Sequence, residues 1–244
     1  MKTVMNAKVN GIDALRELFS NDDVKLVNRV VQDILFPKPE WVGEQASEVR
    51  QRIENGDAVR VRYSKKHCYY QHETKKTTRK YSKKEALDYT NDSNNSLFHR
   101  ETDIRIAIDS DGNTFPRETI LQYTNQVVSY GTQSTIMNYI IAHIWKKTDN
   151  PLYFGLLWNY CLIPCHWDYL TNKEDKSHPL IKQIKDLIKA LDIELYNPNK
   201  LMGWKQEVIS KEDMPSEETF SIARQLIKDK KIKFIPVNNV SLKK

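Results

Sequence analysis

Apolar residues in this chain keep two different periods in turn, and the switching between them constrains the fold more than any other feature. Val24, Val27, Val30, Val31, Ile34 and Leu35 recur at the spacing of one helix face, after the capping candidates Asn21, Asp22 and Asp23. Pro37 and Pro39 close that helix, and a second is predicted from Glu40 to Asn55, with Gly56 at the left-handed terminating position. The period then drops to two over residues 58–63, which puts Val59, Val61 and Tyr63 on one strand face and Arg60 and Arg62 on the other. Asp103–Asp109 alternates again, and Pro116 opens a helix that runs to about Val127. Leu180, Ile181, Ile184, Leu187, Ile188 and Leu191 predict an amphipathic helix opened by Ser177 or His178 and Pro179 and ending near Asp192. A last helix from Glu217 to Lys228 should bury Phe220, Ala223, Leu226 and Ile227, followed by an edge strand within Lys231–Val237. Mixed periods of this kind predict an α+β fold, predominantly helical with short strands.

The chain has 244 residues, enough to bury a substantial core without metal or disulfide staples. Its hydrophobic fraction is only 39%, but 12 Tyr, 7 Phe and 5 Trp supply large apolar surfaces. No run of about 20 apolar residues is present, and Met1–Asn10 lacks the apolar stretch of a secretory signal, so a cytoplasmic protein with no membrane contact is expected. Cys68, Cys161 and Cys165 form no CxxC pair and are read as reduced thiols. Asp109-Ser110-Asp111-Gly112-Asn113 looks like the start of a calcium loop. An EF-hand needs Gly at its sixth position and Glu at its twelfth, and those positions hold Thr114 and Ile120, so a plain turn is predicted.

The net charge of +6 is unevenly spread. Residues 60–84 carry ten cations (Arg60, Arg62, Lys65, Lys66, Lys75, Lys76, Arg79, Lys80, Lys83 and Lys84) against the single acid Glu73, with Tyr63, Tyr69, Tyr70 and Tyr81 interleaved. Phosphate neutralisation and base stacking are both available to such a stretch. Residues 64–102 show little apolar periodicity and read as a long basic loop or arm. The expected organisation is a helical region over 1–63 ending in a strand, the arm over 64–102, a domain over 103–200, and a C-terminal helix and short strand over 201–244.

Residues 138–171 carry the chemistry. An apolar strand ends in a histidine, Ile140-Ile141-Ala142-His143-Ile144, and a loop follows. A second apolar strand begins with an asparagine, Trp158-Asn159-Tyr160-Cys161-Leu162-Ile163-Pro164, and leads into a helix. His143 and Asn159 stand sixteen positions apart, which suits a hairpin. This segment resembles the HNH endonuclease family. The resemblance implies a ββα-metal hairpin-helix core, phosphodiester hydrolysis with a divalent metal such as Mg²⁺ or Mn²⁺, His143 as general base, and Asn159 holding the hairpin through side-chain to backbone bonds. In the family a helix residue about nine positions after the asparagine binds the metal. Asp168 stands there, with His166 as the other candidate ligand. Many members place a further ligand directly before the base, where this chain has Ala142.

The expected function is a metal-dependent endonuclease acting on double-stranded DNA, of a restriction or phage type, with a homodimer suited to palindromic cleavage. Arg60, Arg62, Lys65, Lys66, Lys75, Lys76, Arg79, Lys80, Lys146 and Lys147 are the candidate nucleic-acid contacts. Ala142 favours the alternative, a nucleic-acid-binding protein with a degenerate HNH fold. A different nuclease site, of the Asp…Glu-x-Lys type, would use Glu174-Asp175-Lys176, which reads as a polar turn.

Overall fold

Strands from both ends of the chain meet in one sheet. The computed structural model describes residues 11–66, 68–71, 80–91, 96–109, 111–112, 114–128, 134–171, 178–201, 203 and 208–238. The chain begins with α1 (Gly11–Leu18), α2 (Asp23–Asp33), β1 (Leu35–Phe36) and α3 (Pro39–Glu54), followed by β2 (Val59–Arg62) and β3 (Tyr69–Gln71). Next come α4 (Lys83–Asn91), β4 (Leu97–His99), β5 (Arg105–Asp109), α5 (Thr114–Thr124), β6 (Tyr139–His143) and β7 (Tyr160–Pro164). The last elements are α6 (Asp168–Thr171), α7 (Pro179–Tyr196), α8 (Pro198–Leu201), α9 (Glu217–Lys228) and β8 (Lys233–Phe234). One sheet has the order β6-β7-β1-β8 and the other β2-β5-β4-β3, so the protein is α+β.

The helices start and stop where local chemistry dictates. Asp22 caps α2 by accepting the Lys25 N–H at 2.9 Å, Pro39 occupies the first turn of α3, and Ser216 caps α9. Asn197, at φ 47°, ends α7 in the left-handed conformation, one turn beyond the predicted end at Asp192. All six predicted aliphatics of α7 are buried, each worth roughly 1.5–3 kcal/mol. They pack with Leu26, Val30 and Val31 of α2, with Ala223 and Leu226 of α9, and with Cys161 and Ile163 of β7. On the opposite face, Tyr160 and Leu162 of β7 join Val42 and Ala46 of α3 in a second core.

Three expectations need correction. The helical run through Leu35 stops at Asp33, because Leu35 and Phe36 pair with Lys233 and Phe234, and Leu35 also pairs with Leu162. Sheet pairing overrides the helix period there. Val24, counted on the apolar face, is 71% exposed. Among its described residues, the basic arm over 64–102 contributes two strands to the second sheet: β3 pairs with β4, β4 with β5, and α4 packs on β4 and β5. Tyr69, Tyr70 and Tyr81 are buried rather than offered to bases, and the Tyr69 hydroxyl donates to the Arg62 carbonyl at 3.0 Å. Three-residue strands are too short to show a period. Regions 1–63, 103–200 and 201–244 all contribute to one sheet and one core.

Candidate active site

The β6–β7 hairpin is antiparallel over five residue pairs, from Tyr139↔Pro164 to His143↔Tyr160. Residues paired this way point to the same face, so His143 lies with Tyr160 and Ala142 lies opposite, with Cys161. The His143 ring stacks on Phe154 (centroids 5.4 Å apart, planes at 11°) and meets the Tyr160 ring edge-on at 5.0 Å. Its Nε2 is buried with no hydrogen-bond partner among the described residues. Burial lowers its pKa from 6.5 to about 4; a backbone hydrogen bond with Phe154 opposes the shift, and the Arg62 charge adds to it. The ring is therefore neutral at neutral pH, the form that can accept a proton.

Two buried amides fix the loop that carries Phe154. Asn159, 0% exposed, accepts the Trp145 N–H on Oδ1 at 2.8 Å and donates from Nδ2 to the Tyr153 carbonyl at 3.0 Å. Gln45 reaches from α3, donating to the Gly155 carbonyl at 2.5 Å and accepting the Leu157 N–H at 2.8 Å. Gly155 has no room for a side chain, because an added Cβ would lie 2.6 Å from the Phe115 ring. Phe154 is thereby held between tied neighbours, and so is the face it presents to His143.

Trp145 is anchored at its other end by Asp192 of α7, whose Oδ2 accepts the indole N–H at 2.6 Å. Complete burial holds the Asp192 carboxyl well above its ordinary 3.8, against the lowering effect of the Trp145 bond. The folded protein thus keeps a proton that the unfolded chain gives up above pH 3.8, and stability falls as pH rises past that value. The loss is about 1.4 kcal/mol per pH unit for as long as the carboxyl stays protonated. Asp192→Asn retains an acceptor for Trp145 and removes the titration. It should melt higher than wild type by a margin that widens between pH 5 and 7; a constant difference would show that Asp192 is not held neutral.

Cations gather around this end of the hairpin. The Arg62 N–H donates to the Thr148 carbonyl at 2.9 Å, Lys66 pairs with Asp149 at 3.7 Å, and Lys147 pairs with Asp213 at 2.9 Å. Arg62 runs under the turn at Gly112, where φ is +75° and an added Cβ would meet its Nε at 2.8 Å. That turn is the one read above as a failed calcium loop. The paired residue on β5, Asp109, accepts the Phe115 N–H on Oδ2, while its Oδ1 is buried without a partner. Arg60 lies over the Phe115 ring at 5.4 Å, and Arg60, Arg62, Lys65, Lys66, Lys80 and Lys146 are exposed. Lys75, Lys76 and Arg79 lie outside the described residues, as does Glu174-Asp175-Lys176.

The expected metal ligands, His166 and Asp168, follow the end of the hairpin away from His143. Pro164 pairs with Tyr139, four residues or roughly 13 Å along the strand from His143. His166 and Asp168 follow that far end. His166 is exposed with its ring 4.7 Å from that of Trp167, and Asp168 has a buried Oδ1 without a partner. The single turn of α6 heads back, and Thr171 lines the same cavity as Ala142 and His143. Among the described residues no three of His, Cys, Asp and Glu are grouped to hold a metal.

The family model described as Uncharacterised protein PM1201 matches residues 37–244. The chain belongs to that family. No curated protein and no solved structure matches it. The PM1201 match takes in the whole hairpin, Gln45, Arg62, Asp109 and Asp192, and leaves out α1, α2 and β1. Sequence reasoning missed Gln45 and Asp192, although each sits among the apolar residues of a helix stripe where a polar side chain is out of place.

Proposed function

We propose that this protein hydrolyses phosphodiester bonds in double-stranded DNA, with His143 as general base and Asn159 as the residue that positions it. The observation that carries this reading is the buried, unpartnered Nε2 of a histidine kept neutral at physiological pH, beside a surface rich in exposed cations. A base must hold a lone pair ready for a water proton. Stacking on Phe154, with Asn159 and Gln45 tying the loop on either side, supplies the rigidity that proton transfer needs. Arg62 and Lys66 supply positive charge for the phosphate. The resemblance to HNH endonucleases adds a divalent metal, which would neutralise charge on the leaving oxygen. Asp168 and His166 are the side chains that would hold that metal.

Supercoiled plasmid incubated with Mg²⁺ or Mn²⁺ is expected to be nicked and linearised, and EDTA is expected to stop it. Cleavage that persists in EDTA would remove the metal from the reading and leave the base. Absence of cleavage on plasmid, methylated DNA and RNA would favour the second reading, a nucleic-acid-binding protein on a degenerate hairpin. Ala142, standing where the resembling family often has a ligand, supports that alternative.

A further inference from the structure

A cavity of about 240 Å³ opens beside the His143 end of β6, on the flank of α7. Its apolar floor includes Ala142, Cys161 and Ile188, and its rim carries Lys146, Lys182, Lys185 and Lys189 with Asp186 as the one carboxylate among the described lining residues. Lys182, Lys185 and Lys189 follow the i, i+3, i+7 spacing of one helix face. Like charges so spaced weaken a helix, and a bound anion would relieve them. Lys146 enters from the other side, on a backbone turned left-handed at φ 52° directly after Trp145. The Lys189 ammonium lies 4.9 Å over the Trp145 ring, and Trp145 is held by both Asn159 and Asp192. The clamp that fixes His143 therefore also fixes one wall of the lysine cavity.

We propose that this cavity is a phosphate seat, which holds a backbone phosphate of a nucleic-acid strand on the α7 side of the hairpin, the face opposite the His143 ring. Its volume is below the range of roughly 300–1,000 Å³ usual for drug-sized ligands and suits a small anionic group. Charge-assisted hydrogen bonds from lysines to a phosphate are stronger in a cavity lined in part by apolar side chains than in open water. The strand would then pass between the end of β6 and α7, where Lys146 is the one cavity lysine among the contacts that the sequence singled out. This inference rests on the nucleic-acid partner of the proposed function and not on the cleavage chemistry, and the seat itself is tested by binding.

Anisotropy of a fluorescein-labelled 20-mer duplex should be measured for wild type, Lys182→Ala/Lys189→Ala, Lys146→Ala, His143→Ala and Lys228→Ala across a salt series. The double variant is expected to bind about tenfold or more weakly, and its log Kd against log salt slope should fall by about 1.8, or 0.9 per lost contact. Lys146→Ala should lower the slope by about half as much, while Lys228→Ala stays at wild type. Inorganic phosphate should protect wild type, and not the double variant, in a thermal melt. Circular dichroism establishes that each variant is folded. Unchanged affinity and slope in the double variant overturn the seat, as does failure of wild type to bind either duplex or phosphate. Displacement by polyglutamate without any response to phosphate overturns it in favour of an acidic peptide partner. Wild-type binding and slope in a His143→Ala protein that no longer cuts would leave the seat standing, and binding without cleavage by wild type would sink the nuclease reading alone.

Discussion

Replacing His143 with alanine is expected to lower plasmid cleavage by about 10²–10⁴-fold, the usual contribution of a positioned base. His143→Gln should lose as much, since glutamine fills part of the space but accepts no proton at neutral pH. The pH profile gives a second readout. Burial depresses the His143 pKa to about 4, so the acid limb of kcat/KM should fall near that value and not near 6.5. Stability follows the same proton. Between pH 6.5 and 4 the unfolded chain binds a proton that the folded ring refuses, so this contribution is complete above 6.5 and is lost as pH falls through about 4. Unfolding curves of the alanine variant should lack that component. Full activity in both variants would remove His143 from the chemistry.

Asn159→Ala should have the largest effect on the fold of any change at the site. It leaves the Trp145 N–H and the Tyr153 carbonyl without their side-chain partner inside the core, at about 1–3 kcal/mol each. A small cavity adds to that loss. A total of roughly 3–5 kcal/mol should appear as a lower urea midpoint with an unchanged m-value. A merely structural asparagine would stop there. As a positioning residue it also frees Phe154 to move off His143, so the ring is more fully solvated and the acid limb of the remaining activity shifts upward towards 6.5. An unmoved limb in the destabilised variant would separate Asn159 from the base.

Periodic elements were the legible part of the sequence. The α9 bounds fall where its apolar face and Ser216 put them, and the β2 alternation of buried Val59 and Val61 with exposed Arg60 and Arg62 is as the residues read. The hairpin strands were also readable, although Asn159 sits in a 3-10 turn just before β7 and not in the strand. Hidden elements were hidden for a physical reason. Two- and three-residue strands such as β1, β3 and β4 are made by partners far along the chain, and no local window contains those partners. The site shows the same division. His143 and Asn159 announce themselves by residue type and spacing, whereas Gln45 acts on a loop about 110 positions away. The lysines of α7 were not singled out, and their spacing points to a cavity only once Lys146 and the end of β6 are placed against them.

The position of β1 sets an order on the making of this protein. Leu35 is held between Leu162 and Lys233, partners that leave the ribosome 127 and 198 residues after it. The first segment of the sheet must therefore wait, without its neighbours, until those residues have been made. Contacts this distant in sequence also slow folding in a finished chain. The hairpin bearing His143 gains its neighbouring strand from one end of the polypeptide, and that strand is completed only by the other. A nascent or C-terminally shortened chain would accordingly present the histidine without the full sheet behind it, so the fold withholds the finished site until the last strand is in place.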